Sequence, residues 1–100
     1  SVVIAYGSTA RSARHAVKEA RARGRRVGLL KLLTIWPFAS EAVEEATRHV
    51  RRVVVPELNL GQLRLEVERV VKGRAEVLGV NRADGAVITP KQILEALEAH

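Results

Sequence analysis

The sequence contains no cysteine and no methionine, and only 3% of its residues are aromatic. The lack of cysteine excludes disulfides, a thiolate nucleophile and any thiolate-held zinc or iron–sulfur centre within these residues, and it is compatible with a reducing cytoplasm. Uncharged stretches such as residues 32–40 are too short to cross a bilayer, which takes about 20 apolar residues. We therefore expect a soluble, cytoplasmic protein that holds no electron carrier through thiolates.

Acidic residues are also few, since 11 Asp and Glu stand against 17 Lys and Arg. With 47% apolar and 28% charged residues, the composition is that of a globular protein rather than a disordered or fibrous one. One hundred residues are too few for two independent cores, so we interpret residues 1–100 as a single domain. Because a β-branched run follows Ser1 with no leader, we also interpret the chain as a piece of a longer polypeptide; removal of an initiator methionine is the alternative.

Four short apolar runs that suit β-strands recur at a near-constant interval, at residues 2–6, 27–33, 53–56 and 76–80. A segment with helical spacing follows each run. In the second of these segments Ser40 is the predicted cap, and in the fourth Thr89 is the cap and Pro90 the first helical residue. Gly24 and Gly73 are the predicted stops of the first and third helices. The predicted inward faces are Ala10, Ala13, Val17 and Ala20; Ala42, Val43, Ala46 and Val50; Leu63, Val67, Val70 and Val71; and Ile93, Leu94 and Leu97.

Strands that alternate with helices indicate right-handed βαβ units, and therefore an α/β fold with a mainly parallel sheet covered by helices on both faces. Burial on both faces explains why Val53, Val54 and Val55 are consecutive instead of alternating with polar residues. The expected strand order is 2-1-3-4. This order places the loops after the first and third strands side by side at the topological switch point, where we expect any site to lie.

The first switch-point loop contains Gly7, Ser8 and Thr9. A glycine permits a tight turn, and hydroxyls with free amides at a helix start can hold an anion. The loop lacks the spacing of a dinucleotide fingerprint and the lysine of a P-loop. Two interpretations stay open: a small-anion or nucleotide loop, and a plain strand-to-helix turn with Ser8 or Thr9 as cap.

The second switch-point loop carries a carboxylate, two amides and a glycine, namely Glu57, Asn59, Gln62 and Gly61. Asn59, Gly61 and Gln62 are candidate contacts to a partner. The alternative is that Asn59 only caps the next helix and that Gly61 only allows a close approach of helix and sheet.

Two of the three aromatic residues, Trp36 and Phe38, lie between the second strand and the second helix. Aromatic rings anchor interfaces because each removes a large apolar area from water at small entropic cost. A partner surface is one interpretation of this loop. The other is that Trp36 and Phe38 cover the end of the core.

The first helix also carries a basic stripe opposite its alanine face, formed by Arg11, Arg14, Lys18 and Arg21. Such a stripe suits phosphates or an acidic partner protein, but the scarcity of aromatics for base stacking argues against nucleic acid. The histidines show no metal-ligand spacing, and adjacent Glu44 and Glu45 point in different directions on a helix. We identify no catalytic, cofactor-binding or metal-binding residue.

Several strings are more specific: residues 5–8 (Ala-Tyr-Gly-Ser), 32–38 (Leu-Leu-Thr-Ile-Trp-Pro-Phe), 56–63 (Pro-Glu-Leu-Asn-Leu-Gly-Gln-Leu), 84–85 (Asp-Gly) and 89–90 (Thr-Pro). In this order they resemble the α subunit of 2-oxoacid:ferredoxin oxidoreductases over nearly the whole chain. The matching part is similar to the second domain of that subunit. The resemblance implies a transketolase C-terminal-like module, a three-layer α/β/α sandwich.

The resemblance further implies a complex that oxidatively decarboxylates a 2-oxoacid to an acyl-CoA, using thiamine diphosphate, coenzyme A and iron–sulfur clusters to reduce ferredoxin. In that family thiamine diphosphate typically lies in a β subunit, and this segment lacks the family's preceding domain and the antiparallel edge strand of transketolase-type modules. We therefore expect a noncatalytic assembly domain that binds no cofactor itself and contacts other domains or subunits, with no membrane or nucleic-acid partner. Its candidate interface residues are Trp36, Phe38, Asn59, Gly61 and Gln62.

Overall fold

The four apolar runs each form a β-strand, and each strand is followed by a helix. The structure is a computed structural model, and it describes residues 1–7, 9–33, 38–57, 62–81 and 88–98. Its elements are β1 (Val2–Tyr6), α1 (Thr9–Ala22), β2 (Gly28–Leu32), α2 (Ser40–Thr47), β3 (Arg52–Glu57), α3 (Gln62–Val71), β4 (Glu76–Asn81) and α4 (Pro90–Glu98). Within these ranges, no helix combines the length and the apolar character that a membrane span requires.

The described strands form one parallel sheet in the order β2-β1-β3-β4, which confirms the predicted order. The register pairs Val2 of β1 with Gly28 of β2 and with Val53 of β3. Since β1 and β3 are neighbours, their carboxyl ends meet at the middle of one sheet edge. The loops that follow them therefore flank the switch point.

Helices cover both faces of the sheet, so the three-layer α/β/α arrangement is confirmed. On one face, α1 and α4 pack their alanine and aliphatic stripes on Val3 and Val54. On the other face, α2 and α3 pack on Ile4, Val53 and Val55. The three consecutive valines of β3 are all fully buried, as expected for a central strand that is covered on both sides.

The ends of α4, α1 and α3 follow the predicted signals. The Gln92 amide donates to the Thr89 hydroxyl over 3.3 Å and the Thr89 amide donates to the Gln92 side-chain oxygen over 2.9 Å, which is a reciprocal capping box ahead of α4. Gly24 and Gly73 end α1 and α3 with φ of 83° and 78°, values that favour glycine.

Two predictions for α2 are wrong. Ser40 is the first helical residue and not the cap, because the Ala39 carbonyl accepts the first helical hydrogen bond, from the Val43 amide over 3.0 Å. Ala39 therefore takes the capping position, without a side-chain bond. Ala42 is exposed instead of facing inward. Val43 and Thr47, one turn apart, form the buried stripe, and the Thr47 hydroxyl donates to the Val43 carbonyl over 2.8 Å.

Candidate functional site at the carboxyl edge of the sheet

Glu57, the last residue of β3, places a buried carboxylate at the switch point, where it is 5% exposed. Its Oε1 accepts a hydrogen bond from the Leu63 amide and its Oε2 accepts one from the Arg64 amide, each over 2.9 Å. The first amides of a helix lack intrahelical partners and carry partial positive charge. Both oxygens of Glu57 thus cap α3, which compensates the burial of the charge.

The residues of this loop that the sequence singled out are only partly described. Gln62 is exposed and begins α3, whereas Asn59 and Gly61 lie outside the described residues. Sequence reasoning noticed Glu57 but offered Asn59 as the possible cap. The available signal was a carboxylate at the end of a fully buried strand, a position where a charge requires strong hydrogen-bond partners.

The first switch-point loop turns at Gly7, whose φ of 66° is in the left-handed region. Thr9 is buried, and its hydroxyl donates to the Tyr6 carbonyl over 2.9 Å. The Ala10 amide donates to the Gly7 carbonyl over 3.1 Å. The Thr9 hydroxyl is therefore engaged within the turn, and Ser8 lies outside the described residues.

Beside this loop lies a cavity of about 500 Å³ lined by Gly7, Ala10, Arg11, Arg14 and Lys31, which we call the basic groove. Arg11 and Arg14 come from α1, and Lys31 comes from β2, where it pairs with Ala5 of β1. Sequence reasoning placed the two arginines on the basic stripe but missed Lys31. A lysine within an otherwise apolar strand segment was the available signal.

The same edge exposes apolar side chains. Leu33 follows β2 and is 85% exposed, and Tyr6 at the end of neighbouring β1 is 39% exposed. Phe38 is partly buried against the cluster between the sheet and α2 and α3. Trp36 lies outside the described residues. Leu33 and Tyr6 were not among the contacts predicted from the sequence.

The described residues contain no group of three His, Cys, Asp or Glu side chains that could hold a metal ion. His15 and His49 are exposed on the helical layers. Among the described residues, the edge offers capping by Glu57, apolar contact through Leu33 and Tyr6, and a cluster of cations in the basic groove.

The fold class follows from similarity to solved structures. A split-gene transketolase, described as an inactive β4 tetramer, matches with a TM-score of 0.82 at 23% identity over 96% of this chain and 36% of that chain. The 2-oxoglutarate:ferredoxin oxidoreductase from Magnetococcus marinus matches with a TM-score of 0.78 at 23% identity, over 96% of this chain and 17% of that chain. The fold is thus of the transketolase-like α/β class.

The family follows from the sequence. Residues 1–93 match pyruvate:ferredoxin oxidoreductase core domain II, and the chain belongs to this family. It is 42% identical over 95 residues to the 2-oxoglutarate synthase subunit KorA of Methanothermobacter marburgensis, covering 95% of this chain and 25% of that protein. The ketoisovalerate oxidoreductase subunit VorB of Methanothermobacter thermautotrophicus is 38% identical over 96 residues, covering 96% of this chain and 27% of that protein. The resemblance drawn from the sequence is confirmed, and the chain spans about a quarter of the length of these relatives.

Proposed function

We propose that this chain is a noncatalytic assembly domain of a 2-oxoacid:ferredoxin oxidoreductase, and that the carboxyl edge of its sheet docks onto another domain or subunit of the same enzyme. Membership of the core domain II family supports the enzyme class. The relatives that match are named as subunits and are about four times as long as this chain. A domain of this kind therefore works next to further protein, and its uncovered apolar surface is the natural place for contact.

The observation that carries the docking proposal is the exposure of Leu33, at 85%, beside Tyr6 at the ends of two adjacent strands. Isolated apolar residues on a surface are ordinary, but these two belong to one edge of the sheet. Burying a leucine side chain contributes about 1.5–3 kcal/mol. A partner that covers this edge would gain that contribution and the contact area of the Tyr6 ring.

The noncatalytic part of the proposal is supported by the state of Glu57. Its carboxylate is the buried acid of the described edge, and both of its oxygens are occupied by amides of α3. A general acid or base must reach a substrate proton, whereas Glu57 is 5% exposed and directs both oxygens at the start of α3. The sequence also offers no cysteine to ligate an iron–sulfur cluster.

In this proposal the oxidative decarboxylation of a 2-oxoacid to an acyl-CoA belongs to the whole complex. Thiamine diphosphate would be held by a β subunit, and iron–sulfur clusters and coenzyme A by other parts of the complex, with ferredoxin as the electron acceptor. The formal charge of +6 suits association with acidic partner surfaces, since charge complementarity speeds encounter. The cytoplasm remains the expected compartment.

The test compares Leu33→Ser with Leu65→Ser in the complete gene product that contains this chain, mixed with its cognate partner subunit. Leu65 is also apolar and exposed, at 60%, but it lies on α3. We expect Leu33→Ser to raise the dissociation constant about tenfold or more in sedimentation velocity, with little change from Leu65→Ser. Equal effects of the two variants, or none from either, would refute docking through the strand ends.

A second test concerns Trp36, whose contact role remains a prediction from the sequence. We expect Trp36→Ala to weaken association with the partner more than it lowers the free energy of unfolding, because aromatic anchors contribute mainly to interfaces. Unchanged association by sedimentation, together with a loss of stability, would instead assign Trp36 to the core.

A further inference from the structure

The basic groove gathers three cations from two separate elements of the fold. Arg11 and Arg14 are three residues apart, just under one turn, near the start of α1, and Lys31 lines the groove from β2. All three side chains belong to exposed residues, so their charged groups are accessible to a ligand. The other described lining residues, Gly7 and Ala10, have no side chain and a small one, and they leave room for a ligand.

No acid balances these charges within the part of the chain that the structure describes. The described lining of the groove contains no carboxylate, and the first turn of α1 contains no acidic residue. The described ion pairs involve Arg23, Arg25, Arg52, Arg64 and Arg69, and none of them includes a cation of the groove. Like charges around one concave surface repel each other, and a bound anion would remove that repulsion.

Two arginines and one lysine in one groove favour a ligand group with more than one negative charge. A carboxylate carries a single charge, whereas phosphate and polyphosphate groups bring two or more charges into a compact group. The guanidinium fork matches the oxygen spacing of phosphate, and the lysine ammonium adds a point charge. A volume of about 500 Å³ is within the usual range of small-molecule sites. Among the described residues, the lining includes no aromatic ring on which a base of a nucleic acid could stack.

We propose that the basic groove formed by Arg11, Arg14 and Lys31 binds the phosphate or polyphosphate group of a small molecule. The sequence suggested an anion site at Gly7, Ser8 and Thr9 with the basic first helix, and the groove shares Gly7 and the α1 arginines with that suggestion. It differs in that Lys31 of β2 supplies the third charge and the Thr9 hydroxyl is bonded to the Tyr6 carbonyl. The proposal does not depend on the docking role of Leu33 and Tyr6.

The test is isothermal titration of the complete gene product with sodium pyrophosphate, at an ionic strength held constant with sodium chloride. We expect saturable binding with one site per chain. Arg14→Gln and Lys31→Gln should each weaken it about tenfold or more, because each removes a charge-assisted hydrogen bond. The matched control is Arg48→Gln, which removes one exposed positive charge at the end of α2, on the opposite face of the sheet. Circular dichroism of each variant confirms that the fold is retained.

Three results would overturn the proposal. One is the absence of saturable heat with pyrophosphate. Another is an equal loss of affinity in Arg48→Gln, which would indicate the general positive field of the protein. The third is tight binding of an acidic peptide or of duplex DNA while pyrophosphate fails to compete, which would assign the groove to a macromolecule. Subunit association, measured as for Leu33→Ser, reports separately on the assembly proposal.

Discussion

Helices α1 and α3 both follow a strand next to the switch point, but the charged side chains beside their first turns have opposite signs. The start of α3 faces the buried carboxylate of Glu57, which accepts two of its amides. The start of α1 has no acid in its first turn and is flanked by Arg11, Arg14 and Lys31. One loop therefore holds its own anion, whereas the other leaves positive charge facing solvent.

The start of α3 is used structurally, because Glu57 occupies its amides. The start of α1 lies beside cations that a ligand can reach. Residues 58–61 separate Glu57 from α3, and this length of chain lets the side chain fold back onto the helix it precedes. Only residues 7 and 8 separate β1 from α1. No carboxylate from β1 can cap α1, because β1 contains no acidic residue. The bond within this short turn runs from the Thr9 hydroxyl to the Tyr6 carbonyl.

Removal of the Glu57 carboxylate should have the largest effect on the free energy of unfolding. Glu57→Ala leaves the amides of Leu63 and Arg64 without their acceptor, and we expect it to lower the free energy of unfolding by about 3 kcal/mol. Urea denaturation followed by circular dichroism measures this change.

Glu57→Gln is the control for that substitution, because its side chain keeps one carbonyl oxygen and a similar volume. That oxygen can still accept from one amide, but the NH2 group faces the other amide as a second donor, so we expect a loss of about 2 kcal/mol, smaller than that of Glu57→Ala. If Glu57→Ala were as stable as the native protein, the carboxylate would not be the cap of α3, and the contrast between the two helix starts would disappear.

A smaller effect is expected at the start of α1. Thr9→Val keeps the shape of the side chain but removes the hydroxyl that donates to the Tyr6 carbonyl, so we expect a loss of about 1 kcal/mol in the free energy of unfolding. Thr9→Ser retains the hydroxyl and should lose less. A loss as large as that of Glu57→Ala would mean that the two loops depend equally on their internal bonds.

Much of the fold could be predicted because its signals are local and repeated. The consecutive valines at 53–55 indicate a strand buried on both faces, and Thr89 with Pro90 marks a helix start that the structure confirms. The prediction failed at α2, which has only eight residues. There the Val43 and Thr47 pair decides the buried face, and a short helix provides too few apolar positions to reveal it.

The candidate site was less predictable because it depends on contacts between distant parts of the chain. Nothing in the local sequence indicates that Lys31 of β2 lies beside Arg11 and Arg14, since this follows from the parallel pairing of β1 and β2. The exposure of Leu33 likewise depends on how β2 ends. The strand order alone predicts which loops lie at the switch point. Which side chains meet there depends on the three-dimensional packing of α1 on β1 and β2.

The smallest change in the free energy of unfolding is expected for Arg11→Glu. This substitution places a carboxylate at the start of α1, as Glu57 does at the start of α3. A carboxylate in the first turn interacts favourably with the helix dipole and with Arg14 three residues on, so the free energy of unfolding should rise by about 0.5 kcal/mol. Pyrophosphate binding in the basic groove should be lost at the same time, because the new charge repels the ligand. Arg11→Gln, measured by the same denaturation and titration, separates the loss of a cation from the gain of an anion. A variant that bound pyrophosphate as well as the native protein would show that charge at this helix start does not govern the groove.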